Sequence, residues 1–307
     1  VNGVAVNATD MTPCPAGTYQ PNEGQASCVD ADPGYYSPGT NTAPGATGEA
    51  ITQTDCETGT YQPLAGQDSC VFASVGYYSP GTSFNTNTGY YNATTQIACE
   101  AGTYSSQQVN IPTGYSRASA CTQAQSGYYS PGTTGGTNVS STVTTIASDE
   151  LPCPAGTYSS FTASNSSSDR ASCFDAPAGS YSEGTNTING VLFKATSAIE
   201  CSAGSWQDQI GQADCNLAEP GYFVDTTGQT EQTPCEAGTY SSQNSSIACT
   251  SASSGYYSPG SVGGQNVDSG VSTLATSQIM CHAGYYSNYT TSTPNTDRVE
   301  CDEADAG

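Results

Sequence analysis

An all-β, small disulfide-rich fold, laid out as an elongated rod of tandem short β-hairpin modules with no single large core, is predicted by three features of the sequence. A cysteine or alanine, a glycine and an aromatic recur in one register along the whole chain. The 14 cysteines are even in number and regularly spaced. Apolar residues are scarce: only 35% of the 307 residues are hydrophobic, with 6 Phe, 2 Met and 1 Trp, which cannot fill one large interior.

The register is carried by two kinds of half-unit. Cysteine-led copies begin at Cys14, Cys56, Cys99, Cys153, Cys201, Cys235 and Cys281, each with glycine at plus three and an aromatic at plus five, as in Gly17 and Tyr19 or Gly204 and Trp206. Between them stand copies without sulfur, led by Ala31, Ala73, Ala124, Ala176, Ala218, Ala252 and Ala304, again with glycine at plus three, as in Gly34 or Gly76. Internal repetition is therefore the strongest signal in the chain. Counting each module from its leading cysteine gives residues 14–55, 56–98, 99–152, 153–200, 201–234, 235–280 and an incomplete 281–307.

Residues 1–13 match residues 188–200 at equal distance from the following cysteine, so they read as the end of a preceding half-unit. Residues 301–307, CDEADAG, match residues 28–34. Solenoid ends normally carry polar capping modules, so these two ends lead us to expect either continuation into a longer chain or self-association into a long polymer.

Helical periodicity is absent. Short Thr, Val and Tyr runs such as VSSTVTTIA and GVSTLAT, punctuated by Gly, Pro, Asn and Ser, read as brief strands and turns. Glycine at plus three fits a turn that needs positive φ, and the recurring SPGT offers adjacent turn residues. The repeated tyrosines, at the period of the modules, read as a stacked ladder supplying the scarce core rather than as a carbohydrate platform.

The cysteine pairing follows from the sulfur-free copies. Both cysteines of a half-unit vanish together, which favours bonds within the half-unit: Cys14 with Cys28, Cys56 with Cys70, Cys99 with Cys121, Cys153 with Cys173, Cys201 with Cys215, Cys235 with Cys249 and Cys281 with Cys301. The rival register, Cys28 with Cys56 and so on, leaves Cys14 and Cys301 unpaired. With so little apolar content, disulfides point to an oxidising, extracellular compartment, and no paired CxxC knuckles suggest zinc.

Segments such as CPAGTYQPNEGQASC, CETGTYQPLAGQDSC and CEAGTYSSQNSSIAC resemble the tandem ephrin-receptor-like cysteine-rich repeats, related in style to tumour-necrosis-factor-receptor and EGF-like modules, found in protist and algal surface or mastigoneme-type proteins. The resemblance covers nearly the whole chain and departs from the family where CxxA replaces CxxC, which leaves tyrosine packing and backbone bonds to hold the alanine half-units. It implies an extended extracellular rod and no catalysis.

Four Lys and Arg against 27 Asp and Glu give a net charge of −23, which disfavours nucleic acid and anionic membrane surfaces as partners. No apolar run reaches the ~20 residues of a membrane helix, so no direct membrane insertion is expected. Arg117, Arg170 and Arg298 sit near the ends of the longer intra-cysteine loops, where pairing with Asp169 or Asp297, or stacking on tyrosine, is expected rather than a ligand contact. Modules three and four also resemble six and seven as a pair, GYYSPGTTGGTNVSS answering GYYSPGSVGGQNVDS.

Sequons at Asn7, Asn92, Asn138, Asn165, Asn244 and Asn288 predict N-linked glycans, and hydroxylated Pro38, Pro80, Pro131 and Pro259 would add O-linked sites. His282 is the only histidine and has no free cysteine to act with. The scattered acids lack the alternating ligand run of a calcium loop, so no cofactor is expected and calcium is the weak alternative. The expected role is a structural extracellular glycoprotein of a long surface filament, not an enzyme. The alternative is an adhesive or ligand-binding receptor ectodomain, with module five as its nearest candidate.

Overall fold

The structure is a computed structural model that describes residues 11–40, 49–85, 89–91, 93–108, 112–113, 115–133, 147–260 and 275–305. Side chains of residues 83–92 are outside that description, as are most of the VSSTVTTIA and GVSTLAT runs. The chain forms two compact units, one of residues 1–125, 129–151 and 161–172 and one of residues 126–128, 152–160 and 173–307. Both are built by one rule.

Each half-unit starts with a β-turn. The N–H at plus four donates to the carbonyl at plus one, as from Thr18 to Pro15 and from Thr60 to Glu57, both at 3.0 Å. The glycine at plus three is the third residue of that turn, and its φ lies near +80 to +90° throughout, for example 88° at Gly17 and 84° at Gly102. Only glycine takes that conformation without steric cost, which is why the spacing never varies.

The turn leads into a two-residue strand that pairs antiparallel with the last two residues of the same half-unit. Thr18–Tyr19 pairs with Val29–Asp30, Thr60–Tyr61 with Val71–Phe72, and Tyr222–Phe223 with Thr233–Pro234. All fifteen sheets among the described residues are two-stranded. Such ribbons are marginal alone, so stability has to come from how half-units meet.

Among the described residues two half-units carry an extra hairpin, Ser83–Asn85 with Gly89–Tyr91 and Asn186–Ile188 with Val191–Phe193. Helix among the described residues is confined to short 3₁₀ turns, Ser168–Ala171 and Asn295–Asp297. No helix among the described residues is long and apolar enough to cross a membrane.

The core is a row of small residues. Ala31, Ala73, Ala124, Ala176, Ala218 and Ala252 are wholly buried, as are the leading cysteines from Cys56 to Cys235 to within 1%. The tyrosines at plus five are mostly half-buried, so the expected tyrosine ladder is not what fills the interior. A lead methyl or sulfur lets backbones approach closely enough to hydrogen-bond on both sides, and a larger side chain there would hold them apart.

Candidate functional site

The surface through which one half-unit meets the next is the feature repeated at every step, and it is built from four positions. At the lead, the N–H donates to the carbonyl of the previous plus-three glycine: Ala31 to Gly17 at 2.9 Å, Ala73 to Gly59 at 2.9 Å, Ala218 to Gly204 at 2.9 Å. The lead carbonyl then accepts from the following half-unit, as Ala31 does from Gly66 and Ala176 from Gly211, both at 2.8 Å. A buried backbone group needs a partner, and the lead residue has both of its own satisfied by its two neighbours.

The second position is the glycine itself. Its N–H donates forward to the plus-six carbonyl of the next half-unit, Gly17 to Ser37 at 2.8 Å and Gly59 to Ser79 at 2.7 Å. A carbonyl from two half-units on packs against its Cα. A Cβ on Gly17 would lie 2.2 Å from the Gly66 oxygen, and one on Gly156 would lie 2.1 Å from that of Gly211. Glycine is therefore demanded twice, by φ and by close approach.

The third position, plus six, was missed by sequence reasoning. It holds a buried serine in most half-units, with Ser37, Ser79, Ser130, Ser159 and Ser258 fully buried. Each hydroxyl donates to a strand carbonyl of the preceding half-unit: Ser37 to Thr18 at 2.8 Å, Ser79 to Thr60 at 2.7 Å, Ser130 to Thr103 at 2.7 Å, Ser258 to Thr239 at 2.7 Å. A buried hydroxyl without a partner is costly, so this row is stable only in register. The signal was available, since serine or glutamine follows the plus-five aromatic in every described half-unit except at Val224.

The fourth position lies three residues before the next lead. In cysteine-led half-units it is the second cysteine of the disulfide. Bonds join Cys14 to Cys28, Cys56 to Cys70, Cys99 to Cys121, Cys153 to Cys173, Cys201 to Cys215, Cys235 to Cys249 and Cys281 to Cys301. In alanine-led half-units the same position carries an amide or carboxylate that accepts from the N–H after the lead. Gln53 accepts from Asp32 at 2.7 Å, Gln96 from Ser74 at 2.7 Å, Glu150 from Gln125 at 2.7 Å, Gln232 from Glu219 at 2.8 Å and Gln278 from Ser253 at 2.7 Å. The exception explains itself: where Pro177 follows the lead there is no N–H to accept, and Ala198 replaces the glutamine. The alanine half-units are thus not held by tyrosine packing and backbone bonds alone.

The arginines match expectation in part: Arg298 stacks over Tyr289, but neither it nor Arg170 forms an ion pair with Asp297 or Asp169. Arg170 and Arg298 are buried, at 6% and 7% exposure, and the only ion pair among the described residues joins Arg117 to Glu57 at 3.4 Å. Arg170 Nη1 donates to Ala124 O and Nη2 to Thr162 O, each at 2.5 Å, with the guanidinium 5.2 Å from the Phe161 ring centre. Arg298 repeats this on Ala252 O and Thr290 O, each at 2.5 Å, over Tyr289 at 5.0 Å. In these two half-units the guanidinium takes the place of the backbone N–H that elsewhere meets the lead carbonyl. Carbonyl dipoles and an aromatic face, not Asp169 or Asp297, compensate the buried charge.

Asp169 instead accepts from the Ser166 N–H at 3.0 Å and its hydroxyl at 2.8 Å, and these hydrogen bonds hold its carboxyl below the usual range. Burial, with the charges of Glu150 and Asp149, raises the Tyr104 phenol.

Of the sequons, Asn244 and Asn288 are exposed and Asn165 is partly covered, its Oδ1 accepting from the Thr162 N–H at 2.7 Å. Asn7, Asn92 and Asn138 lie outside the described residues. Pro38 is exposed, Pro80 and Pro131 are half-buried and Pro259 is buried. His282 is exposed in a turn, its carbonyl accepting from Tyr285.

Compared with family models and with curated protein sequences, the chain matches none. What it is follows from its own geometry: a cysteine-rich tandem repeat of short antiparallel hairpins, seven of them closed by disulfides, compatible with an extracellular structural or receptor-like role.

Proposed function

We propose that this chain is part of a structural extracellular glycoprotein, a stretch of a long surface filament of mastigoneme or glycocalyx type, made of modules that resemble ephrin-receptor-like repeats. The observation that carries this reading is the repeated joint: the lead, glycine, plus-six and closing positions recur from one half-unit to the next, so most of the specific chemistry of the chain is spent on stacking. N-linked glycans on exposed sequons and a net charge of −23 would keep such a filament solvated. No catalytic role is assigned.

The receptor reading needs a module that breaks the pattern. Module five came nearest by sequence, yet Trp206 sits in the ordinary plus-five slot, paired with Asn216, and Val224 fills the plus-six slot. Trp206 therefore offers no special site, so the receptor reading would have to rest on the exposed hairpin at residues 186–193; the repeated joint supports the filament reading. Negative-stain imaging of native material tests it: long polymers are expected, and short isolated molecules on membrane stalks would refute it.

A further inference from the structure

The Asn186–Ile188 and Val191–Phe193 hairpin stands apart from the repeat rule. Among the described residues its strands pair only with each other, in the register Asn186 with Phe193, Thr187 with Leu192 and Ile188 with Val191. Asn189 and Gly190 form the connection with φ of 51° and 81°, the two-residue turn that matches the twist of a hairpin. A Cβ placed on Gly190 meets nothing within 4 Å, so the tip stands clear of its own chain.

The side chains are apolar and in solvent. Ile188, Val191, Leu192 and Phe193 are 44%, 56%, 49% and 51% exposed. Among the described residues neither outer edge of this two-stranded ribbon is paired, the arrangement that invites strand addition.

We propose that this hairpin is a docking surface for the same hairpin of a second copy of the chain. Two observations choose that occupant. Residues 184–199 contain no Asp or Glu and include Lys194, so the hairpin is locally non-repulsive on a chain whose net charge of −23 otherwise opposes self-contact. The strand Val191–Phe193 is also self-complementary: antiparallel two-fold pairing sets Leu192 opposite its own copy and Val191 opposite Phe193, apolar against apolar throughout.

The exposed apolar area amounts to a few hundred Å², below the ~800 Å² per partner of a stable specific interface. The isolated pair is therefore weak, and it gains strength only where many copies are held side by side. The inference does not rest on the filament reading: failure of pairing leaves imaging of filaments untouched, and absence of filaments leaves the pair testable.

Sedimentation velocity on the full chain, from about 1 μM to about 1 mM at physiological salt, reads the association directly. A dimer that grows with concentration is expected for the native sequence and for the control Ile210→Glu, a 64% exposed position elsewhere. In Leu192→Glu the association should weaken at least tenfold, because two carboxylates would then face each other across the pair. A monomer at all concentrations, or association unchanged by Leu192→Glu, would overturn the proposal. So would Leu192-dependent flotation with phosphatidylcholine vesicles in the absence of a dimer, which would assign the hairpin to lipid.

Discussion

Gln53 Oε1 accepts the backbone N–H of Asp32 at 2.7 Å from the position, three residues before the next lead, where the preceding half-unit has Cys28. A hydrogen bond and a disulfide are thus alternative latches for one closure, of unequal strength. A net hydrogen bond contributes about 1 kcal/mol, a bridge closing a loop of this length roughly 3 kcal/mol. Replacing Gln96 or Gln232 by Leu should cost on the order of 0.5–1.5 kcal/mol in denaturant unfolding, and the pair Cys56→Ser with Cys70→Ser two to three times as much. Ala198→Gln should add no stability, because Pro177 offers no N–H.

The buried arginines should be far more sensitive than the exposed one. Arg170→Met strands the carbonyls of Ala124 and Thr162, a loss of about 2–4 kcal/mol, while Arg117→Met at its exposed ion pair should cost less than about 1 kcal/mol. Arg170→Lys should recover only part, since one ammonium does not reproduce the planar fork. Thermal unfolding of the three variants compares them, and equal losses would refute the assigned role.

Two glycines of nearly equal φ, 81° at Gly190 and 84° at Gly102, separate conformation from space. Gly190→Ala meets only the left-handed penalty, about 1 kcal/mol. Gly102→Ala adds a Cβ 1.6 Å from the Ser167 oxygen and should prevent local closure. Hydrogen exchange at the Ala124 amide, which donates to Gly102 O at 3.0 Å, would report the second and not the first.

Much of this was legible in sequence because it rests on residues with narrow conformational roles. Glycine at plus three marked the turns, and paired loss of cysteines marked the half-unit. Ser37 and its equivalents were legible as a repeated position but not as core, since serine is usually a surface residue and its burial depends on a carbonyl supplied by another half-unit. Gln53 was overlooked because its donor, the Asp32 N–H, lies 21 residues earlier in the same half-unit, beyond any local pattern. Arg170 looked like a partner for Asp169 because the two are adjacent in sequence. The structure turns the guanidinium inward to a carbonyl 46 residues away, and no local pattern encodes that.

Acid should loosen the loop of residues 161–170. The carboxyl of Asp169 is held below its unfolded value by Ser166, so its contribution is present above the unfolded range and is lost as pH falls through the folded one. NMR titration should place the Asp169 midpoint below that of a free aspartate. Ser166→Ala should move it upward, and an unmoved midpoint would refute the cause.

Because each bridge spans only the loop inside one half-unit, a chain under tension has two kinds of reserve. The alanine-led half-units can pay out their full contour once their hydrogen bonds give way, at roughly 3.5 Å per residue. The cysteine-led ones withhold the loop between bonded cysteines that stand 14 to 22 positions apart. Elastic and inextensible lengths therefore alternate along the backbone, and a reducing environment would change the stretch of such a thread before changing where it ruptures.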